Sequence, residues 1–309
     1  LAAIQAAGTL RRTDCVDRLV ELMEAAPADQ SHVAARRSLI QIAGEKVTSA
    51  TAAAFRRAAG ALGDSDKHKA AFAVRNLRSC CIILGELKSN LVLEDQIRLL
   101  GELNVSSPSV ADIASSLGRI GDRRAAGPLE DKLRSSKQMV VAWLRSLSGM
   151  RPLPFDERPA ARIVEALGRL GATESAGTIV MMATLEGSGN RMGLTTAYAA
   201  RWLPRLVTDD NRSRIADCII RNLRFPVGSY ASAGALVRFE MTKAAAKLQL
   251  SDSLGDLRKV LAMQRKYPPV MQAAAWAIQE LTGKTPEIPQ PLPNRGPNWI
   301  VSKLKSPAR

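Results

Sequence analysis

Residues Val110 to Leu133, VADIASSLGRIGDRRAAGPLEDKL, constrain this chain more than any other stretch, because they describe two helices that cannot stand alone. Val110, Ile113, Ala114, Leu117 and Ile120 recur at i, i+3, i+4, i+7 and i+10, so one helix carries all five on a single face. Gly121 suits the left-handed residue just past a helix end, and Asp122 accepts the first orphan amide hydrogen bonds of the helix that follows. Pro128 is tolerated only in a first turn, which starts the second helix near Arg124 or Ala125. Ala126, Leu129 and Leu133 are its apolar seam. Two antiparallel amphipathic helices joined by a tight Gly-Asp turn leave both seams unburied, so the unit needs copies of itself.

The copies are in the sequence. Adding 50 to each number maps Ile113, Ala114, Leu117, Gly118, Arg119, Ile120 and Gly121 onto Ile163, Val164, Leu167, Gly168, Arg169, Leu170 and Gly171. The helix after it follows suit, with Ala126 on Ala176 and Leu129 on Ile179. Subtracting 110 maps Leu117, Gly118, Ile120, Ala126, Leu129 and Leu133 onto Ala7, Gly8, Leu10, Val16, Leu19 and Met23. Fifty residues exceeds the usual helical repeat of about 30 to 47, so a helix at about Gln138 to Ser148, closed by Gly149, Pro152 and Pro154, reads as an insertion or half of a degenerate repeat. Hydrophobic residues make up 46% of the chain but aromatics only 4%, and the apolar mass is mostly Ala and Leu. Those are the strongest helix formers, whereas a β-sandwich is rich in Val, Ile, Thr and Tyr. The fold class is all-α.

Elsewhere the pattern predicts helices from periodicity and breakers. One over Val33 to Ile42 ends at Gly44, and its Ala-rich partner spans about Val47 to Leu62. Asp64 to Lys88 reads as one long helix capped by Asp64 or Ser65, with Ala70, Val74, Leu77, Cys81 and Leu84 as its buried stripe, answered by Leu93 to Leu103. Later helices fall at about Leu194 to Leu206, Asp209 to Leu223, Ser229 to Leu250, Ser253 to Gln264 and Pro268 to Thr282, where the motif weakens as it does toward the end of an array. Gly283 closes the last. Pro286, Pro289, Pro291, Pro293, Pro297 and Pro307 then hold six of the 16 prolines, so residues 284–309 are expected to be an extended tail after a helical array over 1–283.

The LGRIGD…P pattern at helical phase resembles HEAT repeats, and specifically the short HEAT-like repeats of phycobilisome lyase subunits. The resemblance is specific over about Val110 to Leu185 and fair over Leu1 to Ala26; elsewhere it rests on helix periodicity. It implies an α-solenoid, a right-handed superhelix of antiparallel helix pairs with one helix of each pair on the convex surface and one on the concave. It implies little chemistry, since such repeats serve as protein-binding scaffolds in very different settings.

Lys and Arg total 44 against 29 Asp and Glu, a net charge of +15 that attracts nucleic acid, anionic lipid or an acidic protein face without choosing among them. Cys15, Cys80, Cys81 and Cys218 have no CxxC or Cys/His spacing, so they read as small core residues and fit a reducing, cytoplasmic setting. His32 and His68 read as solvated first-turn residues, not catalytic bases. No GxSxG, GxxxxGK[ST] or HExxH occurs, and Gly187, Ser188 and Gly189 read as an inter-helix loop, so no cofactor or metal is expected. No apolar run approaches the roughly 20 residues of a membrane span, and there is no signal peptide. The chain opens at Leu1 in mid-pattern without an initiator Met, and so reads as a piece of something longer.

Two surfaces are candidates for binding. In TTAYAARWLPRL, Tyr198, Arg201, Trp202 and Arg205 fall at i, i+3, i+4 and i+7, so two aromatics and two guanidinium groups share one helix face that Pro204 is expected to kink. Such a face stacks on bases and pairs with phosphates; the plainer reading buries the rings and lets the arginines snorkel outward. The second candidate is a set of paired bases. Arg11-Arg12 and Arg123-Arg124 sit between helices, and Arg36-Arg37 and Arg56-Arg57 sit mid-helix, so a stripe along the repeats would need a mixed register.

The leading functional reading is therefore a non-enzymatic scaffold binding another protein, with an acidic face on the partner. The alternative is a basic nucleic-acid-binding solenoid resembling the HEAT-like alkylpurine DNA glycosylases. Trp143 and Trp202 are available for that, but no Trp-acid spacing matches that family's motif. A bilin-lyase-type chaperone is a third reading and has no chromophore signature behind it.

Overall fold

The structure, a computed structural model of the 309-residue chain, describes residues 1–25, 30–145, 156–184, 192–224, 231–263 and 267–291, with backbone alone at 143–145 and 231–233. Among them are fifteen α-helices and no strand. The first nine are α1 (Ala2–Thr9), α2 (Val16–Ala25), α3 (Gln30–Ile42), α4 (Gly44–Gly60), α5 (Lys67–Glu86), α6 (Leu93–Glu102), α7 (Pro108–Ile120), α8 (Ala126–Arg145) and α9 (Arg158–Leu170). The rest are α10 (Ala176–Ala183), α11 (Gly193–Trp202), α12 (Arg212–Arg224), α13 (Ala231–Lys247), α14 (Leu254–Met263) and α15 (Pro268–Thr282). They fall into two compact units, Leu1–Ser136 with Arg158–Leu170, and Lys137–Glu157 with Gly171–Arg309. No described helix is long and apolar enough to cross a membrane.

In the first unit α1 packs on α3, α3 on α5, α5 on α7 and α7 on α9, while α2, α4 and α6 lie against that layer through α3, α5 and α7. In the second, α11, α13 and α15 make one layer and α10, α12 and α14 the other, closed pairwise. Each unit is thus a two-layered stack of consecutive helix pairs, the HEAT-like α-solenoid arrangement. The reason is the one the motif implies. Val110, Ile113, Ala114 and Leu117 on α7 and Ala126, Leu129 and Leu133 on α8 are all buried, against neighbours that supply the same kind of face.

The turn chemistry also follows the sequence. Gly121 is left-handed at φ 85°, and Asp122 accepts the N–H of Arg124 at 3.0 Å at the head of a 3-10 turn, Arg123–Ala125, that leads into α8. The copy at Gly171 repeats the left-handed residue, at φ 63°. Ala172 there offers no side-chain cap, and the N–H of Ser175 in the turn Thr173–Ser175 donates to the carbonyl of Ala172 at 3.0 Å.

Three local expectations need correction. The predicted Gln138 to Ser148 helix begins as a continuation of α8, which runs unbroken from Ala126 to Arg145 with Ser135 and Ser136 donating within it to the carbonyls of Asp131 and Lys132; residues 146–148 and Gly149, Pro152 and Pro154 lie outside the described residues. The cap of α5 is Asp66, whose Oδ1 accepts from the N–H groups of His68 and Lys69, while Asp64 turns the chain just before it by accepting from the N–H of Asp66. Ala43, at φ 56°, shares with Gly44, at φ 85°, the sharp joint between α3 and α4.

The motif's first glycine has a different task. A Cβ on Gly118 would stand 2.7 Å from Cα and 2.9 Å from Cβ of Ala166 on α9; on Gly85 it would stand 3.2 Å from Cα of Ser116 on α7; on Gly8, 2.7 Å from Cα of Ser38 on α3. Mid-helix glycine costs helix propensity, so its recurrence marks where one helix of the layer rests backbone to backbone on the next.

Candidate functional site

Pro204 ends α11 instead of kinking it. The helix stops at Trp202, and Leu203–Arg205 form a 3-10 turn with the proline in its first positions, where a missing N–H costs nothing. Tyr198 and Trp202 are half-buried and Arg201 and Arg205 exposed. The four form two stacks, with the guanidinium of Arg201 5.2 Å from the Tyr198 ring centroid and that of Arg205 4.9 Å from Trp202.

Arg201 also reaches the next helix of its layer. Its Nε and Nη2 donate to Oε1 of Glu240 on α13 at 3.1 and 2.5 Å. Only 3% of the Glu240 side chain is exposed, and a carboxylate so placed requires a fixed cation. Lys243, one turn on, lies 3.5 Å from Oε2 of Glu240 and 4.9 Å from the Phe239 ring centroid. The result is a row, Tyr198, Arg201, Glu240, Lys243 and Phe239, in which rings and cations are held around one buried acid.

The paired bases divide. Arg12 is held by Asp14, Arg56 by Asp95, Arg57 by Glu24, and Arg124 by both Asp122 and Glu94, at 2.6–2.9 Å. Arg11 is exposed in a left-handed conformation, and Arg123 opens the 3-10 turn before α8. Arg36 and Arg37 stand on α3, a helix without a carboxylate. Arg36 is half-buried, and burial first, then the nearby charges of Arg78 and Arg37, lower its hold on its proton.

A carboxylate row in the first unit is one that reading the sequence missed. Asp112 on α7 faces Arg78 of α5 at 3.6 Å, and both Arg78 and Arg162 of α9 act on it. Glu165 on α9 accepts from Arg162 at 2.6 Å and Arg169 at 2.9 Å. The signal was available, because Asp112 and Arg162 are the same position in two copies of the motif with opposite charges. Successive layers set that position side by side.

His32 is a correction. It is buried, at 3% exposure, with Nδ1 2.8 Å from the carbonyl of Met23 and Nε2 2.8 Å from Oγ of Ser79, so it ties α2, α3 and α5 together. His68 is exposed at the start of α5. Cys80, Cys81 and Cys218 are buried, whereas Cys15 is half-buried. Burial pushes all three buried thiols up, Cys218 to about 12, which keeps them as unreactive packing groups. Among the described residues no group of three His, Cys, Asp or Glu could hold a metal ion. Gly187, Ser188, Gly189 and the side chain of Trp143 lie outside the described residues.

No protein-family model matches the chain, and no curated protein matches it in sequence. Among solved structures it is similar to the complex of CpcE and CpcF of phycocyanin lyase from Nostoc sp. PCC7120, at 16% identity and a TM-score of 0.44 over 85% of this chain and 94% of that one. It is also similar to human deoxyhypusine hydroxylase in complex with glycerol, at 16% identity and a TM-score of 0.32 over 90% of this chain and 100% of that one.

Proposed function

We propose that the chain is a non-enzymatic helical-repeat scaffold that binds a partner protein through the α11–α13 face, with an acidic surface on the partner. The row built on Glu240 carries this reading. Tyr, Trp and Arg are the side chains that dominate protein interfaces, and here Arg201 is already immobilised by a buried acid, so less rotamer freedom remains to be lost on binding. The net charge of +15 selects for acidic partners. A surface that tracks a phosphate backbone draws on unengaged cations, and Arg12, Arg56, Arg57, Arg124 and Arg201 are each occupied by a carboxylate.

The test is affinity capture, identification of the captured protein and calorimetry with it purified. Arg205→Glu, an exposed change, should weaken that complex about tenfold, equivalent to about 1.4 kcal/mol. Duplex and single-stranded DNA titrated alongside at rising salt check the alternative. Unchanged partner affinity in the variant, with tight DNA binding that falls steeply with salt, would replace the protein partner with nucleic acid.

A further inference from the structure

Along α14 and the 3-10 turn before it, Asp252, Gly255, Asp256, Lys259, Val260 and Met263 recur at i, i+3, i+4, i+7, i+8 and i+11, and this one face lines a cleft of about 530 Å³. Leu223 and Arg224 at the end of α12 and Arg238 on α13 complete its described lining, all within the second unit. Ordinary ligand sites hold roughly 300–1,000 Å³. A Cβ on Gly255 would meet nothing within 4 Å, so the cleft is open above that turn of the helix. Met263 is 75% exposed, a large apolar side chain left in water at the end of the same face.

The lining carries Arg224, Arg238 and Lys259 against Asp252 and Asp256, one positive charge in excess. Asp256 is buried, accepts from Nε of Arg224 at 2.9 Å and lies 3.8 Å from Lys259. Asp252 is an exposed second carboxylate. Arg238 is the cation left over. It is half-buried, no carboxylate among the described residues pairs with it, and the one group that acts on its charge is Tyr267. The stretches that adjoin the cleft in sequence, 225–230 and 264–266, contain no Asp or Glu, and neither does 292–309. A guanidinium that has lost part of its water without gaining an acceptor is stabilised by an anion that reaches it.

We infer that this cleft binds a monocarboxylate with an apolar chain, the carboxylate on Arg238 and the chain against Leu223, Val260 and Met263. The planar fork of an arginine matches a carboxylate through two parallel hydrogen bonds. A single excess charge suits a monoanion, whereas a phosphate monoester at neutral pH brings most of a second negative charge beside Asp252 and Asp256. The apolar side chains give the rest of the molecule a surface on which to leave water. No residue of the Glu240 row is in the described lining, so the site stands or falls apart from the protein-binding reading.

The probe is octanoate, titrated into the full chain by isothermal calorimetry. Arg238→Gln should weaken binding about tenfold or more, through loss of a charge-assisted pair. Gly255→Leu fills the cleft with a side chain whose first atom meets no neighbour and which favours the helix, so it should fold and also bind about tenfold or more weakly. Arg258→Gln, an exposed change on α14 outside the described lining, removes the same charge and should leave affinity within about twofold. Octanol, which has the chain without the carboxylate, and acetate, which has the reverse, should each bind about tenfold more weakly than octanoate. If circular dichroism shows Arg238→Gln unfolded, Arg238→Lys, which keeps the charge and loses the fork, takes its place with the same expected direction. No binding of octanoate at millimolar concentration, equal losses in the Arg238 and Arg258 variants, undiminished binding in Gly255→Leu, octanol or acetate binding as tightly as octanoate, or octyl phosphate binding more tightly would each overturn it.

Discussion

The α5–α7–α9 layer of the first unit and the α11–α13–α15 layer of the second solve the same packing problem by different means. In the first, contact is concentrated where a glycine meets a small residue, Gly85 on Ser116 and Gly118 on Ala166. In the second it is spread over alanines, with Ala197, Ala199 and Ala200 buried on α11, Ala244, Ala245 and Ala246 on α13, and Ala273, Ala274, Ala275 and Ala277 on α15. A glycine contact fixes register at one point and fails if that point is filled. An alanine face spreads the contact over several small residues, so trimming any one of them costs only part of it. The polar chemistry differs in parallel, since the second layer keeps a fully buried acid, Glu240, where the first keeps the partly exposed Asp112.

The largest effect should come from filling the point contact. Gly118→Val places side-chain atoms into the Ala166 backbone and should cost about 3 kcal/mol or more in urea unfolding followed by circular dichroism. Gly127→Ala on α8, where a Cβ meets nothing within 4 Å, should instead stabilise by about 0.5–1 kcal/mol. Ala244→Gly in the alanine face of α13 should cost about 1–2 kcal/mol, from helix propensity and a small void. If Gly118→Val cost no more than Ala244→Gly, the contrast between the layers would be gone.

Next in size is the buried acid. Arg201→Ala leaves Glu240 to Lys243 alone and should destabilise by about 2 kcal/mol, less than for a fully enclosed pair because the arginine is 44% exposed. Arg12→Ala removes a pair in open water, Arg12 to Asp14, and should leave the unfolding midpoint unchanged. Equal midpoints for the two variants would mean that the Glu240 row contributes no rigidity.

The same contrast explains what the sequence disclosed. Gly118 and Gly8 recur in phase because only glycine fits such a contact, so the first unit's repeat is visible in single letters. Alanine faces carry no positional signature, because an alanine is equally at home on the buried side of any helix. The helices from α11 onward were therefore found by periodicity and breakers, and their repeat was not. Tyr198, Arg201, Trp202 and Arg205 were legible as a group, but their partner Glu240 lies 39 residues from Arg201 and no local spacing announces it. His32 was misread for a related reason. Its position at a helix start predicts solvent, and its burial follows from Met23 and Ser79, which only the stack brings near.

The smallest effect tests the first layer from within, since two of its carboxylates should respond to pH in opposite senses. Asp112 is raised above the ordinary aspartate range because burial outweighs Arg78 and Arg162. Glu165 is lowered, because burial acts upward but the hydrogen bonds and charges of Arg162 and Arg169 together exceed it. A raised carboxyl binds its proton more tightly folded than unfolded, so its ionisation removes stability as pH rises from the ordinary aspartate range through the folded value. Asp112→Asn should therefore be slightly more stable than the parent at neutral pH, by under about 1 kcal/mol, with the gain fading on acidification through that window. A lowered carboxyl does the reverse, and Glu165→Gln should be less stable at neutral pH, its deficit closing as pH falls below the ordinary glutamate range through the folded value. Urea midpoints across the acid limb decide it. Loss of neutral-pH stability in Asp112→Asn would make the Arg78 contact a true bridge despite its 3.6 Å.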